Sequence, residues 1–438
     1  MIFSLEVRRA RKGDCLLLHF GSKDDPGLMM IDGGPTGVYK PHLKPRLEQL
    51  RTARGLSHQD SLPVDLLMVS HIDDDHIRGI LDLTKEMVEA QDERRPQMLR
   101  VLSLWHNSFD DIIGNKPEEL TAAFRSQFGA TAASGELPAD AIIEVGDRPE
   151  ITQDVVVDNL KVLASIEQGY RLRIDAEKLD FPRNPEFGGK LILATGGTGG
   201  GIDMGKGLTF TVVGPMQPEV DALRKQHDKW LRALKAKGKQ PAEALAAYVD
   251  KSVPNLSSLV MVAEAEGKRM LLTGDARGDK IIEGLQLAGI LDAGGGSTMH
   301  VDLIKVPHHG SSNNLERNFF ERITADHYVF SGDGEYGNPE RKALEMLLDA
   351  RGSAEFTVHL TYPIKEIDEG RRDDWNKEQN SEKRRREKTP STKVRPNWSP
   401  KKHSLQVLFA DRRAAARKIS IVDPQAPHVI DLLEAVEF

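Results

Sequence analysis

Residues 71–76 bring together two histidines and three aspartates, side chains that bind divalent metal ions. They are His71, Asp73, Asp74, Asp75 and His76. Three adjacent carboxylates repel one another, and beside a core they are costly unless a cation neutralises them. Imidazole and carboxylate groups are ligands for zinc, manganese and iron. A solvated acidic loop would explain the aspartates but not the two flanking histidines, so we predict a metal site.

The elements on either side of this motif determine where it would lie. An apolar run at 66–69 predicts a buried strand, and apolar residues at helical spacing predict a helix over 77–91. The motif therefore occupies a strand-to-helix loop. Two hairpins are predicted around it, one from 13 to 34 and one from 255 to 276.

Further candidate side chains follow other predicted strands. Asp275 ends the second hairpin, and His308 and His309 follow the apolar strand that contains residues 302–306. Adjacent side chains after a strand point in different directions, so we expect only one of the two histidines to bind metal directly.

His71-x-Asp73-x-Asp75-His76 resembles the HxHxDH signature of the metallo-β-lactamase-fold hydrolases, with Asp73 in place of the second histidine. The variant S-H-x-D-x-D-H-x-x-G is similar to the soluble hydrolase (nuclease) domain of ComEC-type competence proteins. Other segments resemble that family in the same order: GDCLLLHF with MMIDGG (13–34), the hairpin at 255–276, DLIKVPHHGSS (302–312) and GEYGNP (334–339). Residues 107–205, 216–252 and those past 365 match poorly.

The resemblance implies an α/β fold, the αβ/βα four-layer sandwich of the metallo-β-lactamase type. We expect a single hydrolase domain over 1–438 with insertions at about 107–205, 216–252 and 368–403. The last insertion is basic, and we predict that it is mobile.

The resemblance also implies roles for the candidate ligands. His71 and Asp73 would hold one metal, Asp75, His76 and His309 would hold a second, and Asp275 would bridge the two. Asp32 would lie beside the metals, and His308 would orient His309 or contact the substrate; with Asp75 these form the expected catalytic group. No histidine follows the strand that ends at Pro215, so the third histidine of the first site is not identified.

Several residues are candidates for binding substrate. Ser311 and Ser312 could hold a phosphate oxygen near a helix start. His106 and Asn107 end a predicted strand over 98–108, where a histidine satisfied structurally is the alternative.

The segment 371–402 contains twelve Lys or Arg against five Asp or Glu, and it contains Trp375 and Trp398. We expect Arg384, Arg385 and Arg386 to contact nucleic acid, and the tryptophans to stack on bases, with a solvated loop or an anionic protein partner as alternatives.

Composition limits the class of protein. Apolar residues make up 39% of the 438 residues, and no apolar stretch approaches the ~18 residues that cross a bilayer. No secretory signal is evident, and a single cysteine, Cys15, excludes an internal disulfide. These features favour a cytoplasmic protein without a membrane partner. The net charge of −7 argues against coating nucleic acid broadly.

The ligand types predict the chemistry. Two metals about 3.5–4 Å apart can share a hydroxide formed near neutral pH. Asp73 adds a hard oxygen and negative charge, so one or two divalent ions, Zn²⁺ or Mn²⁺, are expected. The leading hypothesis is a metal-dependent phosphodiester hydrolase, a nuclease acting on DNA through a metal-bound hydroxide. The alternatives are a hydrolase of a small phosphodiester or ester, and a partner-gated component of a multi-protein system such as a defence complex.

The remaining elements are predicted from pattern alone. We expect helices over 42–56, 117–128 and 427–436, and within 155–179. Strands are expected over 141–145, 356–364 and 404–410, the last two as a hairpin.

Overall fold

A computed structural model describes residues 1–108, 111–112, 168–197, 201–225, 257–412, 419–423 and 426–437. The strands are β1 Ile2–Val7, β2 Leu16–Gly21, β3 Pro26–Ile31, β4 Leu62–Val64, β5 Leu66–Met68, β6 Leu99–Val101, β7 Leu104–Trp105, β8 Ile202–Asp203, β9 Thr209–Gly214, β10 Val260–Ala265, β11 Lys268–Leu272, β12 Met299–Lys305, β13 Ile323–Phe330, β14 Thr357–Leu360, β15 Ile419–Ile421 and β16 His428–Asp431. The helices are α1 Lys44–Ala53, α2 Asp74–Asp92, α3 Gly278–Leu287, α4 Arg317–Arg322, α5 Arg341–Arg351, α6 Ile364–Lys388, α7 Pro400–His403 and α8 Leu405–Asp411. Residues 168–178 and 217–225 are also helical.

Two sheets dominate this mixed α/β fold. The first has the strand order β16-β1-β2-β3-β5-β7, and the second has the order β15-β14-β13-β12-β11-β10-β9-β8. Strands β4 and β6 form a separate parallel pair. The long parallel run from β11 to β15 lies in the second sheet.

Both predicted hairpins are confirmed. β2 and β3 pair antiparallel with Leu16 opposite Ile31. β10 and β11 pair antiparallel with Ala265 opposite Lys268. The first hairpin ends at Ile31, directly before Asp32, and the second ends at Leu272, three residues before Asp275.

The buried residues form three apolar clusters, and strand alternation distributes side chains between them. In β2, Leu16 and Leu18 join a cluster with residues of the second sheet, such as Met270, whereas Leu17 joins a cluster with α1 and α2. The third cluster packs α3, α4, α5 and α8 on the second sheet. Successive strand residues face opposite sides, so both sheets bury two faces.

Helix α6 covers much of the basic insertion that we predict to be mobile. The segment has little apolar periodicity, but Glu, Lys, Arg and Gln favour helix. Ile367, Arg371 and Gln379 are buried and anchor it. Arg371 donates hydrogen bonds to the carbonyls of Gly337 and His403, at 3.0 and 2.7 Å.

Three further segments differ from the sequence-based assignments. Residues 404–410, predicted as a strand, form α8. Leu405, Leu408 and Phe409 are buried at helical spacing, and the Ser404 hydroxyl caps the helix by accepting a hydrogen bond from the Val407 N–H. Residues 427–436, predicted as a helix, contain β16, which covers the edge of β1. The single strand expected over 98–108 is two short strands, β6 and β7, in different sheets.

Other assignments are confirmed or fall outside the described residues. Helices predicted over 42–56 and 77–91 appear as α1 and α2, and helical residues occupy 168–178 within the predicted 155–179. The helix predicted at 117–128 and the strand at 141–145 lie outside the described residues. Among the described helices, none is both long and apolar enough to cross a membrane.

Candidate metal centre

The 71–76 motif lies where β5 leads into α2. His71 and His76 are buried, at 3% and 0% exposed. Asp73 is the extended N-cap residue of α2, and Asp75 lies in the first helical turn. The helix dipole favours negative charge at this position, which offsets part of the carboxylate repulsion.

Glycines bring neighbouring loops into direct backbone contact with the motif. A Cβ on Gly79 would lie 1.9 Å from the Gly33 carbonyl oxygen, and one on Gly13 would lie 1.8 Å from that of Asp75. Asp14 follows Gly13, and its N–H donates to the Asp75 carbonyl at 3.2 Å. Only glycine permits such close approach.

Asp32 orients His76 from behind. It has a φ of 57°, a strained value for a non-glycine residue. Its carboxylate accepts hydrogen bonds from the Ser70 N–H at 2.7 Å and the Ser70 hydroxyl at 2.6 Å. The third partner is His76 Nδ1, at 2.8 Å.

The second sheet supplies Asp275 and two histidines. Asp275 follows β11, and the turn Pro307–Gly310 follows β12. His308 and His309 have φ values of 48° and 52°, which for non-glycine residues cost of order 1–2 kcal/mol each. This strained turn directs the His309 ring inward, where it is 1% exposed.

Three ligand atoms from the two sheets converge. His76 Nε2 and His309 Nε2 are 3.3 Å apart. Asp275 Oδ1 lies 3.2 Å from the first and 3.4 Å from the second. We call these three atoms, together with the neighbouring side chains of His71, Asp73, Asp75 and His308, the metal centre.

Hydrogen bonds fix which nitrogen of each imidazole faces the centre. Ser331 donates its hydroxyl proton to Asp14 at 2.5 Å, so its oxygen accepts from His309 Nδ1 at 2.8 Å. Asp32 is likewise the acceptor for His76 Nδ1. Both rings in their neutral form therefore carry the proton on Nδ1 and turn the Nε2 lone pair toward Asp275.

This arrangement fits a metal ion. Two lone pairs and a carboxylate oxygen face one another, and neither Asp275 Oδ1 nor His71 Nε2 has a hydrogen-bond partner among the described residues. Ligands at ~2.0–2.1 Å around a tetrahedral ion are about 3.3–3.4 Å apart, which matches the spacing of the three atoms. The buried His and Asp groups can therefore hold a metal ion.

The other oxygen of Asp275 faces a second set of candidate ligands. Asp275 Oδ2 lies 3.5 Å from His308 Nε2 and 3.7 Å from His71 Nε2. Asp73 Oδ2 is also 3.7 Å from His71 Nε2. This set is more widely spaced than the first, so it is the less closed of the two.

Asp75 lies on the open side of the centre. Its oxygens are 4.0 Å from His76 Nε2 and 3.8 Å from His309 Nε2, and its side chain is 24% exposed. His308 is similarly placed, with its side chain 27% exposed. These two partly exposed side chains therefore lie on the solvent-facing side of the centre.

Charge repulsion inside the centre appears in its pKa values. Burial, Asp75 and Asp275 together raise the pKa of Asp73 to about 7. Burial and the neighbouring His76 lower the pKa of His71 to about 4. Burial alone would lower the pKa of His309, but Asp275 and Asp14 raise it to about 9. In the absence of a cation, protons balance part of the negative charge.

The predicted phosphate contacts are already engaged by a carboxylate. Ser312 donates from its hydroxyl and backbone N–H to Glu340, at 2.7 and 3.1 Å, and the Ser311 hydroxyl donates to the same residue at 3.4 Å. A phosphate oxygen bound at either serine would have to replace Glu340 as the acceptor.

Asn107 is also occupied, because its amide exchanges two hydrogen bonds of 2.8 Å with the backbone of Ile192. His106 is fully buried, and Asn184 holds its backbone N–H and carbonyl at 2.9 and 3.0 Å. Burial lowers the pKa of His106 to about 4. These contacts hold the Asn107 side chain and the His106 backbone on the neighbouring loop, while both ring nitrogens of His106 have no hydrogen-bond partner among the described residues.

Part of the basic segment lies in helix α6, which contacts the turn at Gly337 through Arg371. Arg384 and Arg386 are exposed near its C-terminal end, and Arg385 is half-buried. The two tryptophans that we predict to stack on bases are each partly exposed. Trp375 and Trp398 contact each other at 6.0 Å between ring centroids, and His403 packs against both.

Three residues behind the centre were not assigned a role from the sequence. They are Asp14, Lys305 and Ser331. The sequence could have predicted a buried ion pair at Lys305, since a lysine inside the apolar strand LIKVP needs a buried partner. Ser331 carried no such signal, because it is near His309 only in three dimensions.

No sequence-family profile matches the chain. The chain is similar to Microtubule-associated protein 1A of Rattus norvegicus, with 28% identity over 118 residues, or 26% of this chain and 4% of the rat protein. The Homo sapiens protein matches with the same identity and extent. The Mus musculus protein is 39% identical over 57 residues, 13% of this chain and 2% of the mouse protein. The chain thus spans only a few per cent of these relatives, and likenesses of this extent show no family.

Proposed function

We propose that this protein is a metal-dependent phosphodiester hydrolase, a nuclease acting on DNA. The observation that carries the proposal is the convergence of His76 Nε2, His309 Nε2 and Asp275 Oδ1 within 3.2–3.4 Å of one another. Support for the metallo-β-lactamase type of fold comes from two packed sheets with helices on their outer faces. The ordered motifs on which the resemblance to ComEC-type hydrolases rests lie at one edge of those sheets.

We infer two candidate metal sites, to both of which Asp275 would contribute. The tighter one would use His76, His309 and Asp275 with Asp75. The other would use His71 and Asp73 with the second Asp275 oxygen, and His308 lies 3.5 Å from that oxygen. A carboxylate in place of a histidine favours Mn²⁺, and the imidazoles favour Zn²⁺, so both ions are candidates.

Bound divalent ions would supply Lewis acidity and a nucleophile near neutral pH. The chain's own residues do the positioning. Asp32 and the Ser331–Asp14 pair hold the two buried imidazoles in the tautomer that binds metal. His308, partly exposed beside Asp275, would give a proton to the leaving group of a phosphodiester.

Nucleic acid is the proposed substrate because the segment 371–402 is rich in positive charge. Residues 371–402 carry twelve Lys or Arg against five Asp or Glu, and Arg371 ties this segment to the loop at Gly337. Positive charge next to a hydrolytic centre attracts a polyanion. A small phosphodiester or ester would not need it. The free, buried Cys15 is compatible with the reducing cytoplasm that we propose as the compartment.

The decisive experiment compares two neighbouring aspartates. Asp75→Asn should abolish Mn²⁺-dependent digestion of plasmid, single-stranded DNA or RNA, whereas Asp74→Asn should retain it. Asp74 lies in the same helical turn but accepts a hydrogen bond from Gln168 at 3.0 Å. Chelation of the metal should abolish wild-type activity.

The outcomes separate the alternatives. Hydrolysis of a chromogenic diester without digestion of any polymer would favour a small substrate. Activity that appears only with a co-purifying protein would favour a partner-gated component. Equal activity of Asp75→Asn and wild type would contradict the proposed centre.

A further inference from the structure

Tyr336 is an exposed aromatic residue in a strained turn. It is 50% exposed, and its φ is 57°. Gly334 and Gly337 on either side have φ values of 101° and 83°. A tyrosine in the left-handed region persists only where the surrounding structure holds it, and such residues concentrate at functional sites.

Helix α6 provides that support. A Cβ on Gly334 would lie 2.3 Å from the Ile367 carbonyl oxygen and 2.7 Å from the Arg371 nitrogen. Arg371 Nε donates to the Gly337 carbonyl at 3.0 Å. Helix α6 therefore contacts the turn on both sides of Tyr336, at Gly334 and at Gly337.

Lys12 contacts this ring and belongs to a loop that also contacts the metal-binding motif. Its Nζ lies 4.6 Å from the centroid of the Tyr336 ring and 3.4 Å from Glu335 Oε1. The next residue, Gly13, packs directly on the Asp75 backbone. Burial would lower the pKa of Lys12, but Tyr336, Glu335 and Asp75 raise it. The ammonium group is therefore charged, and Asp75 is near enough for its charge to act on it.

We propose that Tyr336 and Lys12 form a nucleotide subsite, in which the tyrosine ring stacks on a base and the lysine binds a neighbouring phosphate. This inference rests on the proposed phosphodiesterase function and adds that the substrate is recognised by its base. A ring with an exposed face accepts any base, because every base has a π face. A lysine acts on phosphate as a point charge, and the phosphate would replace Glu335 as its partner.

Paired substrates test the subsite. Thymidine 5′-p-nitrophenyl phosphate and methyl p-nitrophenyl phosphate share the leaving group and the diester, but only the first has a base. Tyr336→Ala should raise KM for the thymidine substrate about 5- to 100-fold, the range expected for one stacked base. The methyl substrate should change less than twofold. Tyr336→Phe should keep the wild-type KM, and Leu287→Ala removes a comparably exposed side chain, 43% exposed, as a control.

A binding measurement keeps the test independent of hydrolysis. Fluorescence anisotropy with a labelled oligothymidylate in EDTA should show at least fivefold weaker binding by Tyr336→Ala and by Lys12→Gln. Tyr336→Phe and Leu287→Ala should bind as the wild type does.

Equal affinity of Tyr336→Ala and wild type, or no binding by the wild type, would overturn the subsite. An equal loss with both chromogenic substrates would do the same. If the wild type binds the oligonucleotide through Tyr336 but hydrolyses no diester, the subsite stands and the proposed enzymatic function fails.

Discussion

Lys305 Nζ lies 2.5 Å from Asp14 Oδ2, and both side chains are buried, at 1% and 2% exposed. The pair sits directly behind His309, because the other Asp14 oxygen accepts from Ser331. Lys305 and the nearby histidines lower the pKa of Asp14 against the effect of burial. A buried ion pair of this kind is coupled both to stability and to the orientation of a metal ligand.

Lys305→Met should destabilise the protein by about 3–5 kcal/mol, because it leaves the Asp14 charge buried without its partner. Urea unfolding at pH 7 measures the loss. The control is Lys268→Met, since Lys268 pairs with Asp302 at 2.8 Å with its side chain 42% exposed. That exposed pair should contribute no more than about 1 kcal/mol. The double variant Lys305→Met/Asp14→Asn should recover much of the stability. Equal losses of stability in Lys305→Met and Lys268→Met would contradict the prediction.

Ser331→Ala should weaken metal binding about 10- to 100-fold, because His309 Nδ1 loses the acceptor that fixes its tautomer. Competition with a chromogenic chelator measures the affinity. Ser61→Ala, which removes a hydroxyl bonded to the Gln97 carbonyl, should leave it unchanged. An unaltered affinity in Ser331→Ala would show that the hydrogen bond does not orient the ligand.

The double variant His76→Ala/His309→Ala should lose all metal after loading with Mn²⁺ or Zn²⁺, as measured by elemental analysis. His71→Ala alone should keep the tighter ion, because its ring lies in the more open set. His300→Ala changes an exposed histidine of β12 and serves as the control. If His71→Ala removes the ion that binds first, the two positions have been assigned in the wrong order.

Glu6 predicts how stability depends on acid. Burial would raise its pKa, but hydrogen bonds from His19 and Arg46 lower it to about 2 from 4.5. Since the folded-state pKa is the lower one, the stabilisation is present above pH 4.5 and is lost as the pH falls toward 2. The shift corresponds to about 3 kcal/mol.

Glu6→Gln should therefore be less stable than wild type at pH 7 and should flatten the dependence of unfolding free energy on pH between 4.5 and 2. Urea unfolding across that range measures both effects. Glu321→Gln, which affects an exposed pair with Arg317, should leave the pH dependence as it is. A wild-type slope in Glu6→Gln would assign the acid sensitivity to other groups.

Changing Arg384, Arg385 and Arg386 to glutamine should weaken DNA binding and reduce its salt dependence by up to about three units of slope, at ~one per phosphate contact. Hydrolysis of methyl p-nitrophenyl phosphate should not change, because that substrate needs only the metal centre. Arg95→Gln, at an exposed site elsewhere, shows the effect of removing one positive charge outside α6. Unchanged affinity and slope in the triple variant would exclude this part of α6 as the contact.

Much of the candidate site was predictable because its chemistry is written locally. The spacing of His71, Asp73, Asp75 and His76 within one strand-to-helix loop identified a metal motif, and the apolar runs identified the hairpins that end near Asp32 and Asp275. The same local reading failed where packing chose between two patterns. The pattern of residues 404–410 fits both a strand and a helix. The segment that contains β16 has a composition typical of a helix, but it forms a strand because it pairs with the edge of β1.

By itself, the sequence determined the ligand types and the strand ends that carry them, since both depend on residues close together in the chain. Only the tertiary structure decided which atoms meet. Asp275 Oδ1 faces His76 and His309 because the two sheets pack against each other through a shared apolar cluster. Asp275 and His76 are 199 residues apart in the chain. The tautomers depend on Ser331 and Asp14, which are 317 residues apart. Hydrogen bonds and burial at such separations arise from packing, and no local pattern records them.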